Sequence, residues 1–574
     1  MGLLRAAGVV YKPVEQLDLG PDSNEIYVEA DIKAPRMGGL LAKIFAWILE
    51  SRIFGALAFY ILKRLNRVHK FISNATVEEP PMFVPLHPYV ADYSRAYRNG
   101  EITPLKVAER FIYAVHESSS RPLSIAFFIN YDAEDILRQA TESTLRYERG
   151  APISALDGVP IAVKDEIDCS PYPTTGGTKW LHKVRPCTGD ACCVARLRSC
   201  GAILVGKTNM HELGATPSGI NPHYGPPRNP YDPSRISGGS SSGSAAVVCA
   251  GLCPAALGVD GGGSVRMPAS LSGVVGFKPT FGGIPHSGVL PLNWTVGMVG
   301  VLAGTLEDAF IVYAAISGHL PSHEPTTLPP KIHFPLLNST NPISNIKLAI
   351  YGEWFNDCNE EIRLCCSNAV QLLCERYNWK TIVAINFPVV KTVEVTIPEL
   401  EVMRLAHYVT IGSECSTALS SHLENLGRSE FGWDARVVVD IYGAFNSNEY
   451  IKAQKLRYRH MQIHNKIFAK ADVIVTPTTG MTAYSISKNA LKTGELDYVN
   501  GGTIIRYQIA GNFLGLPAIT VPVGYDKAGL PIGLQFIGKP WSEPTLMHLA
   551  FAMQALCITD YRKPKVFYDI LGKK

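Results

Sequence analysis

No charge of either sign dominates this 574-residue chain: Lys and Arg number 54, Asp and Glu 50, and the net charge is +4. So small a bias offers no electrostatic footprint for nucleic acid or for a strongly acidic partner. The 13 cysteines are scattered. Adjacent pairs occur at Cys192-Cys193 and Cys365-Cys366, but there is no CxxC, which excludes a small disulfide scaffold and points to reduced thiols facing the cytosol. No secretory leader is expected either, because the apolar part of MGLLRAAGVV is too short. Ala6 stands where a myristoylation signal has Ser or Thr, and secretion is not expected. His211-Glu212 is not followed by the second histidine of a zinc-protease motif, so it reads as a strand-to-helix connection and not as a metal site. No internal repeat of fixed period is present.

One stretch, residues 40–62 (LLAKIFAWILESRIFGALAFYIL), has the length of a bilayer span, but Lys43, Glu50 and Arg52 interrupt it. A charge near the bilayer centre costs roughly 2.5–3.5 kcal/mol. Two short helices fit better, with Phe45, Trp47, Phe54, Phe59 and Tyr60 on the apolar side and Lys63, Arg64, Arg67 and Lys70 following. Such a pair serves as a membrane-surface or dimer element, or simply covers the main domain.

Glu78-Glu79-Pro80-Pro81 ends this segment, which divides the chain into an N-terminal extension, 1–78, with its apolar helical part at about 38–70, and a main domain, 79–574. Residues 80–150 read as mainly helical. From Gly158 onward short apolar strands (VPIAV, AILVG, AALGV) alternate with Gly/Ser turns and helical runs, the pattern of an α/β sheet. The chemistry concentrates at about 155–300. The Pro-, Ser- and Asn-rich segment 321–345 reads as a surface excursion.

The informative stretch is 237–268. Gly238-Gly239-Ser240-Ser241-Ser242-Gly243 precedes a small-residue helix, SAAVV, and the strand Ala255–Val259 leads to Asp260-Gly261-Gly262-Gly263-Ser264. Three glycines take backbone angles closed to other residues and aim successive N–H groups at one point. That is how an oxyanion hole is built, and each donor is worth about 3–4 kcal/mol to a developing negative charge. Flexible linkers also use Gly and Ser, but linkers have no need of the apolar runs VVCAGL, PAALGV and GVVGFKP that flank these loops. A nucleophilic serine needs a base, and context singles out none of the 15 histidines. Lys164 ends the strand Gly158–Val163, and a lysine serves as a base where burial favours its neutral amine.

Other matches carry less. Gly201–Thr208 satisfies the written phosphate-loop pattern GxxxxGKT, but its apolar middle reads as a buried strand. SxxK occurs at Ser344-Lys347 and Ser485-Lys488, and KTG at Lys492-Thr493-Gly494, without the SDN that accompanies them in penicillin-binding enzymes.

GVPIAVKDEID at 158–168, GKTNMHE at 206–212, the GGSSSGS loop, DGGGSVRMPA at 260–269 and ITVPVGYDKAGLPIGLQFIG at 519–538 together resemble the amidase signature family over roughly residues 85–560. The resemblance implies that family's fold: a mixed, twisted central β-sheet covered by helices on both faces, here with the N-terminal helical extension added. It also implies a triad of Lys164, Ser240 on a cis peptide and nucleophilic Ser264. Gly261, Gly262, Gly263 and Ser264 would supply oxyanion N–H groups, with Ser241, Asp260 and Arg266 in support and no metal or cofactor. Ser242 departs from the usual GGSSGGS and its role is open. The KDEID continuation into CSPYPTTGGTKWLHKV and the apolar N-terminal segment look closest to plant-type fatty acid amide hydrolases. These imply a lipid amide substrate, a homodimer and peripheral contact with an intracellular membrane (the cytosolic face of the endoplasmic reticulum or plasma membrane). The alternatives are a soluble amidase of small or aryl amides and an amidotransferase subunit that supplies ammonia to partner chains.

Overall fold

The three apolar runs expected as strands are strands, and each is buried along its whole length. The computed structural model describes residues 17–21, 23, 27, 29, 36–51, 54–66, 92–120, 123–318, 346–376, 392–423, 428–557 and 561–572. The expected boundary near residue 78 and the excursion at 321–345 lie outside these residues. The strands are β1 (Phe128–Asn130), β2 (Pro160–Lys164), β3 (Ile203–Thr208), β4 (Arg228–Asn229), β5 (Asp232–Ile236), β6 (Ala255–Asp260) and β7 (Val275–Lys278). After them come β8 (Met298–Ala303), β9 (Leu348–Ile350), β10 (Thr392–Glu394), β11 (Val473–Pro477), β12 (Ala518–Tyr525) and β13 (Pro531–Gly538). Eleven form one sheet in the order β1-β3-β2-β6-β8-β7-β12-β13-β11-β9-β10. β2 runs parallel to β3 and β6, and β9 parallel to β10 and β11, while the other pairs are antiparallel. The C-terminal strand pair is the antiparallel β12–β13 ladder.

Side chains alternate across a strand, and the core alternates with them. Val473, Val475, Ile519, Val521, Leu534 and Phe536 join one apolar cluster with helices Glu360–Arg376 and Glu543–Cys557. Ile474, Ala518 and Ile537 join another, with helices Leu400–Leu423 and Ser447–Phe468. The mixed sheet is thus covered on both faces.

The N-terminal segment is two helices, α1 (Leu40–Glu50) and α2 (Phe54–Leu65), bent by 107°. Among the described residues no single helix is long and apolar enough to cross a membrane. Ala42, Ala46 and Leu49 bury one side of α1, whose Ala46 and Leu49 share an apolar cluster with Ala435 and Val438 of helix Trp433–Gly443. Glu50 accepts two hydrogen bonds of 2.6 Å from Arg436, and Lys63 binds Glu449 at 2.9 Å. Two of the charges in and after the apolar run therefore dock it on the domain. The outer side keeps Leu40, Trp47 and Phe54 more than half exposed, at 67, 54 and 63 %.

Candidate active site

β2, the third strand from one edge of the sheet, carries Lys164 at its C-terminal end, where Nζ lies 2.8 Å from Ser240 Oγ and 3.2 Å from the carbonyl of Val259. Ser240 follows a cis Gly239–Ser240 peptide. Ser264 lines the adjoining cleft and is half-buried, and its carbonyl accepts the N–H of Ser241 at 3.2 Å. Among the described residues the Ser264 hydroxyl makes no hydrogen bond, so the lysine and first serine are joined directly and the second serine stands beside them. Glu166, to which the sequence motifs give no role, is buried 2.8 Å from Lys164 Nζ. Its position two residues past the end of a strand is the signal that could find it. Asp165 turns away, receiving the N–H groups of Thr175 and Gly177 at 3.2 Å.

The glycine loop corrects two expectations. Gly263 alone has a positive φ, 104°, while Gly261 and Gly262 are needed for space. A Cβ on Gly261 would sit 2.4 Å from Asn293 Nδ2, and one on Gly262 would press at 3.2 Å on the His407 ring. Nor do all four N–H groups remain for an oxyanion, because Gly263 N donates to Asp260 Oδ1 at 2.7 Å. Those of Gly261, Gly262 and Ser264 have no acceptor among the described residues.

Asp260 and Arg266 are fully buried and paired at 3.0 Å. Burial alone would raise the carboxyl of Asp260, but the Arg266 charge and its hydrogen bonds, with Lys278 and Asn512, hold it well below the usual carboxylate range. Arg266 also reaches Gln535 at 2.7 Å and the Gln508 carbonyl at 3.2 Å, so it braces the loop from behind. Ser241 stays close through its hydroxyl, 3.5 Å from the Val259 carbonyl, and Ser242 turns away to the Gly219 carbonyl at 3.5 Å.

The side chains of the phosphate-loop and zinc-protease patterns are committed elsewhere. β3 is buried, and Lys207 is spent on Thr174 at 2.8 Å and Asp165 at 3.1 Å. Ser344 lies outside the described residues. His211 bonds Asp434 at 3.1 Å. Among the described residues no cluster has the make-up of a metal site, and all 13 cysteines are free.

Burial pushes the imidazoles of His286, His407 and His464 down to about 4, and lowers His460 as well. An unfolded imidazole takes up its proton near 6.5, so between these values the unfolded chain binds more protons and stability falls with pH. The thermal midpoint should therefore drop as pH is lowered from about 6.5 to 4; a constant midpoint there would mean these side chains are not buried neutral.

Ser264 and Gly262 open onto a cleft of about 950 Å³, its mouth included, walled by Met267, Tyr408, Ile411, Tyr442, Leu496 and Ile505. The family model described as Amidase matches residues 115–547. The chain belongs to the amidase family. It is 42 % identical to a fatty acid amide hydrolase of Arabidopsis thaliana, the alignment covering 98 % of this chain and 99 % of the relative. It is 40 % identical to one of Oryza sativa subsp. indica, with 98 % of each chain covered. The native peptide amidase of Stenotrophomonas maltophilia superposes with a TM-score of 0.67 at 25 % identity, over 83 % of this chain and 98 % of that one. The amidase similarity to the plant proteins thus extends well past the family model into the N-terminal segment.

Proposed function

We propose that this amidase hydrolyses fatty acid amides, N-acylethanolamines among them, through an acyl-enzyme on Ser264. Ser264 Oγ attacks the amide carbon while its proton passes by way of Ser240 to Lys164. The N–H groups of Gly261, Gly262 and Ser264 receive the negative charge that develops on the carbonyl oxygen. The tetrahedral intermediate collapses, the proton returns to the leaving nitrogen, and water then attacks the ester through the same relay to release the fatty acid. Hydrogen bonds of such relays commonly tighten only when substrate is bound, in keeping with a Ser264 hydroxyl that stands free beside the Lys164–Ser240 pair. The observation that carries this reading is the buried Lys164–Ser240 pair, tied through the Ser241 N–H to Ser264, which itself lines a largely apolar cleft.

The reading includes peripheral membrane contact on the cytosolic side. The exposed face of α1 and α2 carries Leu40, Leu41, Trp47, Phe54 and Leu57, and Met37, just before α1, pairs through its backbone with cleft residue Leu496. An apolar patch beside an apolar cleft suits a substrate that partitions into lipid. The test compares N-acylethanolamines with 4- and 16-carbon chains, free and in phospholipid vesicles. We expect kcat/KM to favour the long chain by at least about 100-fold, of the order that three to four buried methylenes supply at about 0.8 kcal/mol each. A Trp47→Glu, Phe54→Glu variant should lose activity only on vesicle-borne substrate. Equal rates on both chains would instead indicate a small-amide enzyme. A variant impaired on free substrate, or a wild type that forms dimers without binding vesicles, would assign the apolar face to packing between copies of the chain.

A further inference from the structure

The imidazole of His407 comes from helix Leu400–Leu423, 146 positions along the chain from Gly261, and its Nε2 lies 2.8 Å from the Gly261 carbonyl oxygen. The ring is fully buried and stands edge-on to Phe513 at 6.0 Å. A carbonyl only accepts, so Nε2 must carry the proton. The peptide plane does the rest. In a trans peptide the C=O of one residue and the N–H of the next point in opposite directions across the same rigid unit. A donor that pins the Gly261 oxygen therefore fixes the direction of the Gly262 N–H. Glycine peptides are otherwise the easiest to turn, since no Cβ restrains them.

The next unit along the loop is fixed separately, by Asp260 receiving the Gly263 N–H at 2.7 Å. Between the two anchors, the Gly262 N–H has no acceptor among the described residues, and Gly262, Ser264 and His407 all line the cleft.

The geometry points to His407 as a positioning residue: it holds the Gly261–Gly262 peptide so that the Gly262 N–H faces the oxyanion of the reacting amide. This rests on the acyl-enzyme reading above. It gives His407 no part in proton transfer. Besides the Gly261 carbonyl, the charged groups that act on the ring are Arg457, Asp260 and Arg266. Asp260 and Arg266 are paired with each other, and Arg457 is spent on Thr295 at 2.6 Å.

The test is steady-state kinetics on a long-chain amide with three variants. His407→Phe keeps an aromatic ring against Phe513 and removes the N–H, His407→Ala removes both, and His407→Gln can return an N–H at a similar reach. We expect kcat to fall about 100-fold or more in the Phe and Ala variants, the loss typical of one oxyanion donor, with KM within threefold. The Gln variant should recover to within tenfold of wild type, and the pH profile of each should keep its shape. A folded His407→Phe enzyme with kcat within threefold of wild type would overturn the proposal, as would loss of the acid limb of the pH profile, which would make His407 a base. Failure of the underlying reading looks different: Ser264→Ala would then retain activity whatever the His407 variants do.

Discussion

Ser264→Ala is expected to lower kcat by about 10⁵- to 10⁶-fold, the scale on which removing the nucleophile of a serine hydrolase acts. The fold should not notice. The Ser264 hydroxyl has no hydrogen-bond partner among the described residues and borders the open cleft, so its loss costs within about 0.5 kcal/mol, as for a surface change. Residual turnover within tenfold of wild type would remove Ser264 from the chemistry. Lys164→Ala should also abolish turnover, but its loss must be read beside a melting curve. That substitution takes away the partner 2.8 Å from buried Glu166, and a buried charge without its partner destabilises the fold. Ser264→Ala separates chemistry from folding, whereas Lys164→Ala mixes them.

Asp260→Ala is expected to produce the largest loss of stability. Its carboxylate binds the guanidinium of Arg266 at 3.0 and 3.1 Å, Asn512 at 2.8 Å, and the backbone N–H groups of Gly263, Val265 and Arg266 at 2.7–3.3 Å. Removing one partner of a buried ion pair costs about 3–5 kcal/mol, and each N–H left unsatisfied adds about 1–3 kcal/mol. A typical folded protein has only about 5–15 kcal/mol in hand. We expect a greatly lowered denaturation midpoint or insoluble protein. Replacing both partners by apolar residues, Asp260→Leu with Arg266→Met, should recover part of the stability but not the activity, because the Gly263 N–H would still be released. If the single variant melted within about 1 kcal/mol of wild type, the pair would be no brace.

Much of the fold and of the site is legible in the amino-acid sequence. Alternating apolar and Gly/Ser segments announce a sheet with covered faces, and the apolar middle of Gly201–Thr208 identifies β3 against a tempting phosphate-loop pattern. Glu50 and Arg52 mark the break between α1 and α2, and the motifs around Lys164, Ser240 and Ser264 single out all three. What stays hidden depends on contacts between distant residues or on single dihedral angles. The order of strands in the sheet, with antiparallel neighbours inserted among parallel ones, leaves no periodicity to read. His407 and Asn512 reach the glycine loop from helices 146 and 252 positions away. That Gly263 alone needs positive φ, and spends its N–H on Asp260, is a property of one backbone turn. Glu166 is a different case, since only Asp165 separates it from Lys164. It follows the apolar strand in the sequence, and burial of that strand argues for a neutral amine without hinting at an acidic neighbour.

Mass spectrometry of digested protein after reaction with long- and short-chain acyl fluorophosphonates tests the central claim most directly. The account predicts one adduct, on the peptide carrying Ser264, formed much faster by the long-chain reagent and not formed by Ser264→Ala. An adduct on any other serine, or none at all in folded protein, would contradict it.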